Sequence, residues 1–120
     1  MKENVRDLDR LLDIVQECDF VRKITNIEKV EFLQNRTLQL AVLKSLEIIG
    51  EASKQISLIT RNKYDGLIWT EMINARNFYV HEYFDVDLEW VWKSVKEIIN
   101  FEKIKTYCSY IIEELKTELL

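Results

Sequence analysis

A chain of 120 residues with no proline and only two glycines, Gly50 and Gly66, has very few places where its backbone can turn sharply. Average usage would give roughly eight glycines and six prolines at this length. Sandwiches, barrels and phosphate-cradling loops all need positions of positive φ or a pre-set turn, so the deficit argues against each of them. Long helices with short connections remain. A chain of this size is expected to form one domain, residues 1–120, and small domains of this kind often finish burying their apolar surface by pairing with a second copy.

Apolar spacing supports the helical reading. From Asn4 to about Ile24 the residues Val5, Leu8, Leu12, Val15, Cys18 and Val21 recur at three and four positions, which predicts a long first helix. Thr25-Asn26-Ile27-Glu28 has the form of a capping box, so a short second helix is expected through about Leu33. Asn35 can cap a third helix, whose apolar set Leu38, Val42, Ile49, Ala52 and Ile56 is widened by Leu43, Leu46, Ile48 and Ile59. Asp65-Gly66 is the clearest internal break, with Gly66 suited to a left-handed helix end.

Beyond that break, Trp69 to about His81 reads as a fourth helix. Asp87 is a plausible N-cap for a final helix running to about Leu115, with Leu88, Val91, Trp92, Val95, Ile98 and Ile99 as its main stripe. Trp90 and Phe101 share another side of that helix, where they serve either as a second contact surface or as cover for a neighbouring loop. The expected architecture is all-α, an up-and-down bundle of about five helices.

Seventeen basic against twenty-one acidic residues give a net charge of −4, so no global field draws the chain toward nucleic acid or anionic lipid. An RNA site would have to be local. Lys54, Arg61, Lys63 and Lys93 could form a track for it, although scattered solvated charges are the simpler description of them. Met1-Lys2-Glu3-Asn4 leads straight into a charged helical pattern and no apolar run would span a bilayer, which predicts a cytoplasmic protein without a membrane partner. Cys18 and Cys108 lack metal-ligand or CxxC spacing and read as small buried hydrophobes.

The fourth helix contains a residue that does not suit a core. On a helical wheel Trp69, Met72, Ile73, Tyr79, Val80 and Tyr83 all fall within about 60° of Arg76. A buried guanidinium needs a carboxylate, a phosphate or a cleft, because leaving it unpaired costs several kcal/mol. Glu47 and Glu51 on the third helix are candidate partners, or else form a solvated face with Lys54. Asn77 and His81, the only histidine, lie on a polar strip with Thr70 and Asn74. From spacing alone, the simpler reading makes Arg76 a structural ion pair and His81 an exposed residue of a plain helical dimerisation module.

Arg76-Asn77-Phe78-Tyr79-Val80-His81-Glu82-Tyr83 fits R-x4-H-x-Y and thereby resembles the signature of HEPN-domain ribonucleases. The surrounding Leu46-Glu47-Ile48-Ile49-Gly50-Glu51-Ala52, Trp69 and His81-Glu82-Tyr83-Phe84-Asp85-Val86-Asp87 are similar to the HepT-like (DUF86) branch, and the resemblance covers nearly the whole chain. It departs at Leu67-Ile68-Trp69, where members commonly carry a proline before the tryptophan.

The resemblance implies a HEPN-like homodimer acting as the toxin of a type VII toxin–antitoxin pair, an endoribonuclease that cuts tRNA or mRNA without a metal or other cofactor. It implies Arg76 and His81 as catalytic residues and Asn77 and Tyr83 as supporting ones, while Glu51 stays a candidate carboxylate partner of Arg76 by its place on the third helix. The antitoxin would be a minimal nucleotidyltransferase (MNT type) that uses ATP and Mg²⁺ to transfer AMP to Tyr83. The alternative within the same resemblance is a non-catalytic HEPN-like module that binds a nucleotidyltransferase or a nucleotide.

Overall fold

Helix α1 (Lys2–Ile24) packs against both α3 (Arg36–Gln55) and the C-terminal helix α7 (Phe101–Leu119), and these three long helices enclose the core. The computed structural model describes residues 2–75 and 86–120, and among these it contains seven α-helices, one π-helical segment and no strand. The shorter helices are α2 (Lys29–Gln34), α4 (Leu58–Lys63), α5 (Trp69–Asn74) and α6 (Leu88–Lys93), the last continuing as the π-helical turn Ser94–Ile98. The all-α expectation holds. Among the described residues there are seven helices where about five are expected in the chain, because two connections use side-chain caps rather than glycine or proline. Among the described residues no helix is long and apolar enough to cross a membrane.

The first helix is present as expected, but its buried stripe is Asp7, Leu11, Ile14, Cys18 and Val21. Val5 and Leu12, placed on the core face from spacing, are 47% and 45% exposed. The face rotates because Asp7 belongs to it. Its carboxylate accepts the Ser57 amide at 2.8 Å, the Ser57 hydroxyl at 2.6 Å and the Thr60 hydroxyl at 2.6 Å. With its hydrogen bonds made, a carboxylate can take an interior position that an apolar count would deny it.

These bonds also explain α4, a helix the apolar pattern does not separate from α3. Ser57 is its N-cap, accepting from the Thr60 amide at 3.3 Å, and Asp7 holds that cap in place. Asn35 caps α3 as expected, taking the Leu38 amide at 3.0 Å. The capping box at Thr25 is not formed: the Thr25 hydroxyl donates back to the Val21 carbonyl at 2.6 Å, and α2 begins after Glu28 without a side-chain cap.

The expected final helix is two. Asp87 caps α6 through the Trp90 amide at 3.1 Å, but the ladder widens at Ser94–Ile98 and Ile99 N–H reaches the Ser94 carbonyl at 2.8 Å. Asn100 then starts α7 by accepting from the Lys103 amide at 2.9 Å. The break corrects two assignments. Ile98 is turned outward at 54% exposure, while Phe101, expected on the same side as Trp90, is buried at 5%. A π-turn shifts the register of every residue after it, so a 3.6-residue pattern carried across it assigns the wrong face.

Gly66 is needed for space rather than handedness. No described residue has positive φ, and a Cβ at Gly66 would lie 2.4 Å from Cε2 of the Tyr107 ring.

Candidate functional site

Arg76, Asn77, His81 and Tyr83 lie outside the described residues, and so do the residues between them. What the structure describes is the frame on either side. Upstream, α5 packs against α3. Trp69 is buried and its indole Nε1 donates to the Tyr64 carbonyl at 2.8 Å, while Met72 is buried one turn later. Thr70 and Asn74 are exposed, as the polar strip requires.

Ala75, the residue before Arg76, is half-buried and packs against the core. It shares a cavity of about 130 Å³ with Leu46, Ile49, Met72, Ile99 and Phe101. Downstream, Val86 and Leu88 also pack against the core, and Asp87 between them caps α6. The described residues on either side of the motif are therefore half-buried apolar anchors packed against the core. A reactive side chain is positioned reproducibly only when the elements that carry it are themselves fixed.

Glu51 is the one candidate side chain within the described residues. It is half-buried on α3 and lines a groove of about 210 Å³ with Arg10, Asp13, Lys44, Glu47 and Gln55. Glu47, the other carboxylate considered for Arg76, pairs with Lys44 at 3.1 Å. On the helix wheel Glu51 is turned about 140° to 160° from Leu46 and Ile49, the α3 residues that meet Ala75. The groove mixes both signs of charge, with the Arg10–Asp13 pair at 3.6 Å on its α1 side.

The basic residues considered as an RNA track do not form one. The Arg61 guanidinium donates to the Ile56 carbonyl at 3.1 Å, Lys63 pairs with Glu118 at 3.0 Å, and Lys54 is exposed on α3. Lys93 stands apart from them on α6, close behind Trp90. Both cysteines are buried as expected, and burial pushes each thiol up to about 12, where it has no use as a nucleophile near neutral pH.

Comparison with known proteins places this frame. The HepT-like family, described as Ribonuclease HepT-like, matches residues 2–111. A Methanocaldococcus jannaschii protein named "Putative RNase MJ1380" is 41% identical over 96 residues, covering 79% of this chain and 86% of that one. "Probable ribonuclease HepT" of Thermococcus cleftensis is 36% identical over 109 residues, covering 87% and 94%. "Putative RNase TTE0752" of Caldanaerobacter subterraneus is 37% identical over 92 residues, covering 75% and 82%. No solved structure matches the chain.

Proposed function

The chain belongs to the HepT-like ribonuclease family, and we propose that it is a metal-independent endoribonuclease, the toxin of a type VII HEPN/MNT toxin–antitoxin pair, with Arg76 and His81 as its catalytic residues. The observation that carries this reading is that the family match runs through residues 2–111 and so spans the R-x4-H-x-Y segment, whose residue types suit the chemistry.

RNA supplies its own nucleophile. The 2′-hydroxyl loses its proton to a base, its oxygen bonds to the adjacent phosphorus, and the bond from phosphorus to the 5′-oxygen breaks as that oxygen takes a proton. The products are a 2′,3′-cyclic phosphate and a 5′-hydroxyl. An imidazole with an ordinary pKa of about 6.5 can serve on either side of this exchange near neutral pH. Arg76 supplies a permanent, forked charge for the phosphoryl oxygens as negative charge builds on them. Asn77 orients His81 or bonds the phosphate, and Tyr83 binds phosphate or positions the RNA, while Glu51, turned away from the α3 residues that meet Ala75, is given no part in the reaction.

One histidine per chain fills one of the two proton-transfer roles. A twofold homodimer that brings two motifs together fills both, which gives dimerisation a mechanistic purpose. In the same reading the nucleotidyltransferase partner uses ATP and Mg²⁺ to transfer AMP to the Tyr83 oxygen, with pyrophosphate leaving. That adds a bulky anion to the segment that carries Arg76, where it competes with substrate phosphate.

The test is incubation of the purified protein with tRNA and mRNA in EDTA, comparing wild type with Arg76→Ala and His81→Ala. The expected result is cleavage by wild type, cyclic-phosphate ends, and loss of activity in both variants. Cleavage that survives both substitutions would reject this site, and wild-type cleavage abolished by EDTA would reject metal independence.

A further inference from the structure

Trp90 stands out from α6 with 46% of its surface exposed, yet its backbone is fixed on both sides. Its amide donates to the Asp87 carboxylate at 3.1 Å and its carbonyl accepts the Ser94 hydroxyl at 2.8 Å. The indole borders two grooves. One, of about 230 Å³, runs along Asn74, Ala75, Ser94 and Ile98, and so begins at the residue that precedes Arg76. The other, of about 470 Å³, holds Lys29, Trp92, Lys93 and Lys96 together with Asp87, Glu89 and Glu97.

Most charges in the second groove are already engaged. Lys29 pairs with Glu89, and Asp87 is the α6 cap. Lys96 donates to the Thr25 carbonyl at 2.8 Å while its ammonium lies 5.3 Å from the centre of the Trp92 ring. Lys93, one turn beyond Trp90, is exposed and makes no ion pair among the described residues. Residues three apart on a helix have Cβ atoms about 5–6 Å apart, so a flat π-face and an ammonium are offered side by side on one flank.

We propose that Trp90 and Lys93 form a nucleotide subsite for single-stranded RNA, in which a base stacks on the indole and a neighbouring phosphate meets the ammonium. The proposal rests on the ribonuclease reading and deepens it by naming the form of the substrate. A net charge of −4 gives the protein little general attraction for RNA, so stacking has to supply a larger part of the affinity. Every base has a π-face, but only an unpaired base can present it, which excludes a continuous duplex. Trp90 is thus a positioning residue that holds the strand along the groove that ends at Ala75, the residue before Arg76.

The experiment uses the full chain and a short unstructured oligoribonucleotide, with the same sequence in a duplex as control. In the His81→Ala background, binding of the single strand is expected to quench indole fluorescence, and Trp90→Ala is expected to weaken binding roughly tenfold. Trp90→Phe should retain most of the affinity and lose the quenching. In the catalytically intact background, Trp90→Ala should raise KM for single-stranded RNA with kcat largely kept. Lys93→Gln should lower the slope of log affinity against log salt by about 0.7.

Unchanged affinity and KM in Trp90→Ala would overturn the proposal, as would equal loss for single strand and duplex. A Trp90→Ala variant that sediments as a monomer where wild type is a dimer, with RNA affinity per protomer unchanged, would assign the face to a second copy and overturn it too. Trp90-dependent binding without cleavage by wild type supports the subsite while removing the nuclease reading. Cleavage with Trp90-independent binding does the reverse.

Discussion

Asp7 and Ser57, fifty residues apart in sequence, are joined by two hydrogen bonds, one from the Ser57 amide and one from its hydroxyl, both to the Asp7 carboxylate. Thr60 adds a third, so this single carboxylate, 1% exposed, fixes the corner between α3 and α4 to the first helix. Asp7→Ala removes both acceptor oxygens, and with them three hydrogen bonds, and leaves the part-buried Ser57 amide without this partner. It is expected to destabilise the protein by about 2–4 kcal/mol, read as a lower urea midpoint at unchanged slope. Asp7→Asn keeps one acceptor oxygen and should fall between the two.

Gly66 donates its amide to the Tyr107 hydroxyl at 3.2 Å, and the ring fills the space that a side chain would need. Gly66→Ala must push the Tyr107 ring aside and lose that bond, at a cost of about 1–3 kcal/mol. Because both effects pass through one ring, Gly66→Ala combined with Tyr107→Ala should cost less than the sum of the two single changes in denaturant melts. Simple additivity would show that the two residues do not act on each other.

The thiols of Cys18 and Cys108 are held protonated up to about 12, chiefly by burial, against an ordinary value of 9.0 that each regains on unfolding. The unfolded chain therefore releases these protons first as pH rises. The stabilising contribution is complete below about 9 and is lost progressively between about 9 and 12. Alanine at either position should flatten the alkaline fall in stability. In the native wild type, thiol-specific reagents should react only at the rate of unfolding.

Tyr83 is the proposed acceptor of AMP. Incubation with ATP, Mg²⁺ and the cognate nucleotidyltransferase should add one adenylyl group to the peptide containing Tyr83, found by mass spectrometry, and abolish RNA cleavage in parallel. Tyr83→Phe should remain unmodified, so that any activity it retains resists the partner. Adenylylation of Tyr79 in its place would move the regulatory oxygen off the motif.

Local signals account for what the amino-acid sequence revealed. Asn35 and Asp87 announce helix starts because a cap needs only a side-chain oxygen and an amide three residues on, and both bonds form. Asn100 forms the same kind of cap, but it sits inside an unbroken apolar rhythm, so the end of the π-turn before it leaves no compositional trace. Asp7 misleads in the opposite sense, since its interior place depends on Ser57 and Thr60, partners that no local window contains. The candidate site divides similarly. Arg76, His81 and Tyr83 are proposed on the family motif they fit, whereas the anchoring of Ala75 and Val86 and the grooves beside Trp90 depend on tertiary packing.

The packing of α1 against α7 bears on how the protein is made. Leu11, Ile14 and Cys18 are synthesised early, yet part of the surface that covers them arrives only with Ile104, Cys108 and Ile111. While a ribosome is still short of α7, the nascent chain has helices but no closed core, and its apolar stripes are open to chaperones and proteases. A message cut or a translation stalled before that helix yields no folded fragment. The folded protein exists only after its C-terminal helix has been made.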